Sequence, residues 1–118
     1  MKLTIEQIAR AFSSHKFEST YPYLLDNIQW NLVGDKMLAG KENIINTYNE
    51  SAQYLTNVIT RFDKFKVVAG DNCVVIDSLA EYVNEEQKSS TVSSCDIYKF
   101  IEGKLSAITS YCIELNKD

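Results

Sequence analysis

Few residues of this 118-residue chain have side chains able to ligate, attack or move a proton. There is one histidine, His15, and there are three cysteines, Cys73, Cys95 and Cys112. Structural zinc ligands usually come in close pairs, and no Cys-x-x-Cys occurs, so these residues do not spell a metal site. An odd number of widely spaced cysteines fits reduced, mostly buried thiols. His15 lacks the Gly-x-Ser-x-Gly elbow that would suggest a nucleophilic triad, and it falls in a predicted turn, where it is expected to be exposed. No P-loop, no Gly-x-Gly-x-x-Gly and no metal-ligand cluster is present, so no cofactor is expected. The remaining candidate is Asp96, in the alternating run from Val92 to Ile101. A strand sends alternate side chains to opposite faces, so Asp96 shares a face with Val92, Ser94, Tyr98 and Phe100. If that face is the inner one, burial disfavours the carboxylate and raises its pKa. Such a carboxyl could donate a hydrogen bond as a neutral acid or act as a general base.

The elements that must position these groups follow from periodicity. Ile5, Ile8, Ala9 and Phe12 repeat as one face of a helix, and Thr4 with Gln7 has the capping-box form. That helix should stop near Ser13-Ser14-His15. A second helical stretch carries Phe17, Tyr21, Leu24 and Leu25, and Pro22 inside it makes it short or irregular. Asp26-Asn27 breaks the pattern, and Ile28, Trp30 and Leu32 then alternate as a strand. Gly40 precedes a long helix through Ile44, Ile45, Tyr48, Ala52, Leu55 and Ile59, with Glu42 in its first turn. Strands are predicted over 62–68, 73–83, 92–101 and 105–115, with turns at Gly70-Asp71-Asn72, 84–90 and Glu102-Gly103. Helices first and an antiparallel meander after them is the α+β pattern.

Composition bounds what such a chain can do. Apolar residues make up 45% and charged residues 24%, near the globular average. At 118 residues one domain over 1–118 is expected, with a core that needs no staples. Twelve basic residues against sixteen acidic give a net charge of −4, which argues against binding nucleic acid through phosphates. No apolar run is long enough for a membrane span or a signal peptide, so a cytoplasmic protein without a membrane partner is expected.

The order of elements and four local stretches resemble the SnoaL-like branch of the nuclear transport factor 2-like superfamily. They are residues 11–18 (AFSSHKFE), 24–30 (LLDNIQW), 40–44 (GKENI) and 96–105 (DIYKFIEGKL). The resemblance implies a cone: N-terminal helices packed in a strongly curved antiparallel sheet, with a pocket at the open end. Members include ketosteroid isomerase, polyketide cyclases, limonene epoxide hydrolase, scytalone dehydratase and non-catalytic association domains, so the fold does not settle the function.

In that cone the inner positions would be Trp30 and Leu32 on the first strand, then Val74, Ile76, Ser78, Ala80 and Tyr82. The last hairpin would add Ser94, Asp96, Tyr98 and Phe100 facing Ile108, Ser110 and Cys112. The inner set is apolar with a few hydroxyls and one carboxyl, which suits a small apolar or amphipathic molecule. In ketosteroid isomerase the matching aspartic acid stays protonated and helps bind an oxyanion. The resemblance therefore implies Asp96 as the acid or base, with Tyr48, matching a supporting tyrosine, as its partner across the cone. The tyrosine and base aspartate of that enzyme fall on Ile8 and Leu32, neither of which moves a proton, so steroid isomerisation is not expected. Glu81 and Glu114 are expected on the outer face. Leu79, Val83, Ile97, Tyr111 and Ile113 would also lie outside, as an apolar patch suited to a symmetric homodimer.

Three functions stay open at this point. One is an isomerase, cyclase or lyase acting through Asp96 without metal. Another is a module that binds an apolar ligand without chemistry. The third is a dimeric association domain with a filled cone.

Overall fold

The structure is a computed structural model and describes residues 2–115. The expected domain span of 1–118 thus includes four positions outside the described residues. Helix α1, Ile5–Ser13, begins at the predicted capping box. Thr4 Oγ1 accepts from the Gln7 N–H at 3.1 Å, and Gln7 Oε1 accepts from the Thr4 N–H at 2.8 Å. Its inner face buries Ile8, Ala9 and Phe12. A 3₁₀ segment, Phe17–Tyr23, follows and contains Pro22, in keeping with the short irregular helix expected there.

Strand β1 spans Leu24–Leu32 and β2 spans Lys36–Ala39. The break at Asp26-Asn27 does not start the strand; it is a register shift inside it, between Leu24 and Gln29. Strand β2 had no sequence signal, since four residues at a sheet edge carry too little alternation. Helix α2, Lys41–Leu55, buries Ile44 and Tyr48 and ends before Ile59, which opens β3 and is exposed. The remaining strands are β3 Ile59–Ala69, β4 Cys73–Val83, β5 Ser89–Ile101 and β6 Lys104–Glu114.

The strands form one six-stranded sheet in the order β2-β1-β6-β5-β4-β3. Four of the five strand pairings are antiparallel, but β1 lies parallel to β6, so the sheet is mixed. It remains open at β2 and β3. Burial alternates along β4, where Val74, Ile76, Ser78 and Ala80 are buried. The two helices lie against this inner face, and the core forms between Ile8, Phe12, Ile28, Ile44, Ile76 and Leu105.

The β5–β6 hairpin sets the register of the inner face. Glu102 and Gly103 turn with φ of 48° and 81°, as a two-residue primed turn requires. Asp96 then faces Ser110, Tyr98 faces Ile108 and Ser94 faces Cys112. Glu114 is a correction. It pairs with Val92, so it follows the inner alternation of Ser110 and Cys112, and it is exposed at the strand end. Glu81 lies outside, bound to Arg61 at 3.1 Å.

Candidate functional site

The inner face of the sheet and the helices enclose a cavity of 340 Å³. Its polar end is built around Asp96 on β5. The carboxyl is drawn in two directions. Burial pushes its pKa up, and hydrogen bonds from the Ser110 and Ser13 hydroxyls act to lower it. Burial is the largest influence, so the net shift is upward. Ser110 is itself fixed, because its Oγ accepts from Trp30 Nε1 at 2.8 Å. Ser13 Oγ stands 3.4 Å from Asp96 Oδ2, a long contact, and is also hydrogen bonded to the Tyr98 hydroxyl. Burial and the nearby Asp96 charge hold the Tyr98 phenol well above its usual pKa, so it stays neutral.

Of the residues expected to face a ligand, Trp30, Ser78, Ser94, Tyr98, Ser110 and Cys112 line the cavity with Asp96 and Tyr48. Leu32, Ile76 and Ile108 do not. Ile76 and Ile108 are fully buried in the core, and Leu32, at the end of β1, is half-buried. Alternation gave their face correctly but says nothing about depth along the strand. Phe100 is likewise core.

Tyr48 does not bond Asp96. Its hydroxyl is buried with no hydrogen-bond partner among the described residues. The ring stacks on Phe17 at 4.1 Å and meets Phe12 edge-on at 4.6 Å, which fixes it in the helix–sheet core. Burial raises its pKa most, with smaller contributions from Tyr98 and Asp96 nearby. Trp30 meets Phe12 edge-on at 5.5 Å and lines the cavity. Tyr21 donates to Asn49 Oδ1 at 3.3 Å and Tyr23 accepts from the Leu3 N–H at 3.0 Å, and neither lines the cavity.

His15 is the largest correction. It is half-buried, not exposed, and it lines the cavity. Its left-handed backbone, φ 68°, places it at the junction of α1 and the 3₁₀ segment. There Nε2 lies 3.1 Å from the Tyr82 hydroxyl, and the ring stacks over Phe62. Burial lowers its pKa. The wall made by Phe62, Tyr82, Tyr54 and Leu55 was also missed, apart from the placement of Tyr82 on the inner face. It forms where the α1 junction and α2 close on β3 and β4, a contact without a local sequence signal.

The cysteines are free, but none is buried: Cys73 and Cys95 are half-buried and Cys112 is exposed at the cavity mouth. Ser94 Oγ approaches Cys112 Sγ at 3.5 Å, and burial of the thiol raises its pKa despite that bond. Among the described residues no three His, Cys, Asp or Glu side chains cluster to hold a metal ion. No helix of the described residues is long and apolar enough to cross a membrane. On the outer face Tyr111 and Ile113 are exposed, while Leu79, Val83 and Ile97 are half-buried.

No protein-family model matches the sequence, and no curated protein matches it. Solved structures do. An NTF2-like protein of unknown function from Cytophaga hutchinsonii superposes with a TM-score of 0.79 at 35% identity, covering 90% of this chain and 93% of that one. An NTF2-like protein from Burkholderia xenovorans gives 0.73 at 14% identity, covering 96% and 93%. An LEH-like epoxide hydrolase from M. tuberculosis gives 0.69 at 14% identity, covering 92% and 82%. The latter two share the fold alone, whereas the first is close over nearly its whole length. The chain thus belongs to the NTF2-like family, the superfamily to which its sequence motifs pointed.

Proposed function

We propose that this protein binds a small, largely apolar molecule in the cavity, with a polar group of that molecule against Asp96. The observation that carries this reading is a 340 Å³ space, walled mainly by aromatic rings, with a half-buried carboxyl at its polar end. Ligand sites are commonly of this size and composition. A filled cone, as an association domain would show, would have Trp30, Tyr48 and Phe100 closing its centre; Trp30 and Tyr48 do meet, with ring centroids 5.3 Å apart, but both also border the cavity, and Phe100 does not line it. Native mass spectrometry of the purified protein, followed by denaturing extraction, tests the reading. A retained apolar molecule, lost in a variant with Ser78→Phe filling the cavity, is the expected result. A ligand-free protein that no hydrophobic library stabilises would sink it.

Metal-free acid–base chemistry through Asp96, of isomerase, cyclase or lyase type, is the second reading. Asp96 is favoured for it because burial holds the carboxyl partly toward its protonated form. Asp96→Asn separates the two readings. It should lower turnover of a cognate substrate by roughly 10²-fold if Asp96 transfers a proton, and should leave a pure binder folded and loaded. The outer sheet face, with Tyr111 and Ile113 exposed, is proposed to meet a second copy of the chain.

A further inference from the structure

The chain has one histidine, and the fold holds it in place with some care. The His15 backbone is left-handed, a conformation uncommon outside glycine that histidine adopts more often than most residues. Its N–H donates to the Phe12 carbonyl at 3.2 Å. The ring is bounded by the edge of Phe17 at 5.6 Å, the face of Phe62 at 6.3 Å and the Tyr82 hydroxyl. Only Nε2 is hydrogen bonded; no described residue bonds Nδ1. His15 and Asp96 line the same cavity from different elements.

We propose that His15 is the base of this cavity, its Nδ1 removing a proton from a flat C–H acid held against the aromatic wall, with Tyr82 as the positioning residue. The proposal rests on the small-molecule reading above and adds the class of ligand: a planar molecule with a C–H made acidic by an adjoining electron-accepting group. In the tautomer that donates Nε2–H to Tyr82 Oη, Nδ1 carries the lone pair. The C–H bond breaks and its proton goes to Nδ1. The electron pair moves to the acceptor atom of the ligand, which takes hydrogen bonds from the hydroxyls at the polar end. The imidazolium keeps its Nε2–H on Tyr82 and returns the proton to water.

The groups facing the imidazole suit this role. Tyr82 from β4 is the titrating one, and burial holds its phenol neutral. Phe62 from β3 and Phe17 from the 3₁₀ segment carry no charge; Lys16 is its chain neighbour and, with Glu18 and Tyr21, borders a second cleft that His15 also lines. The other titratable groups on the cavity wall are Asp96, Tyr98, Cys112, Tyr48 and Tyr54. Burial is the single influence on the pKa of His15 and pushes it down, so the ring is neutral at physiological pH.

The probe is 5-nitrobenzisoxazole, whose ring opens by N–O cleavage to a coloured cyanophenolate when a base takes its C–H. Binding is read separately, through quenching of the single tryptophan, Trp30, by the nitroaromatic ring at acid pH, where the reaction is slow. Saturable quenching is expected, with kcat/KM that falls toward acid through a midpoint below the ordinary histidine value of about 6.5. His15→Gln should keep the quenching and lower kcat/KM roughly 10²-fold. Tyr82→Phe should retain activity with a displaced midpoint. Saturable binding with unchanged turnover in His15→Gln overturns the proposal and leaves the binding reading intact. No saturable binding overturns the proposal, and the binding reading then stands or falls on the retained ligand and the hydrophobic library. If His15→Gln does not fold, the wild-type acid limb decides: a limb that vanishes in Asp96→Asn assigns the base to the carboxyl and overturns the proposal.

Discussion

Asp96 is half-buried and Tyr48 is buried, and a substitution at each tests what withdrawing its polar group from water costs. The Asp96 carboxyl has a folded pKa above its unfolded value of about 3.9. Between those two values the folded state keeps a proton that the unfolded state has lost. Stability therefore falls as pH rises through that window, and the cost of burying the anion is complete above the folded pKa. Asp96→Asn removes this dependence. Urea denaturation across the window should show wild type losing ground to the variant as pH rises; a gap that stays constant would mean burial does not hold the carboxyl up. Tyr48 is simpler. Its hydroxyl is buried without a partner, so Tyr48→Phe deletes a desolvated group while keeping the stacked ring. Stability should be unchanged or rise by about 1 kcal/mol. A loss of that size would reveal a bond the hydroxyl makes in solution.

Among the elements, the β5–β6 hairpin does most to build the site. Its register places Asp96, Ser94 and Tyr98 beside Ser110, Cys112 and Ile108, and the turn at Glu102-Gly103 sets that register. Gly103 has φ of 81°, where an added Cβ meets nothing within 4 Å but the backbone conformation itself is strained. Gly103→Ala should cost about 1 kcal/mol in urea denaturation without changing the ligand complement, since the strain is local to the turn. The hairpin was also the most legible part of the sequence. Period-two alternation and a tight turn together determine which residues face each other, so five of the seven inner positions expected on the hairpin (Ser94, Asp96, Tyr98, Ser110 and Cys112) line the cavity. Leu32, Ile76 and Ile108 failed because a face has length, and the helices cover part of it. His15 failed for a different reason. Nothing in Ser13-Ser14-His15 indicates that the junction after α1 folds over β3 and β4, which lie about fifty to seventy residues further along the chain. Likewise β2 is too short to announce itself, and Asp26-Asn27 looked like a boundary because a bulge interrupts alternation as a turn does.

At the scale of the molecule, the question is what covers the outer face of the sheet. The four strands β3 to β6 present a surface roughly 35 Å long and 19 Å wide, from strand rise and spacing. That is of the same order as the roughly 800 Å² that each partner contributes to a standard interface. Toward β6 the face is apolar: Tyr111 is 45% and Ile113 is 58% exposed, next to the half-buried Ile97 and Leu79. Toward β3 the face carries the ion pairs Arg61–Glu81 and Lys64–Asp77, both at 3.1 Å. An apolar strip bordered by charges suits an interface between folded partners. A two-fold contact would bring the same strip of each copy together, so one substitution would strike it twice. Light scattering at micromolar concentration should therefore give twice the 13.4 kDa chain mass, and Ile113→Lys should halve it. Because Ile113 and Cys112 point to opposite faces of β6, the same variant should keep any ligand bound in the cavity. A wild-type mass of a single chain would refute the dimer. A monomeric variant that also lost its ligand would show that the two faces of the sheet are not independent, and that association shapes the cavity.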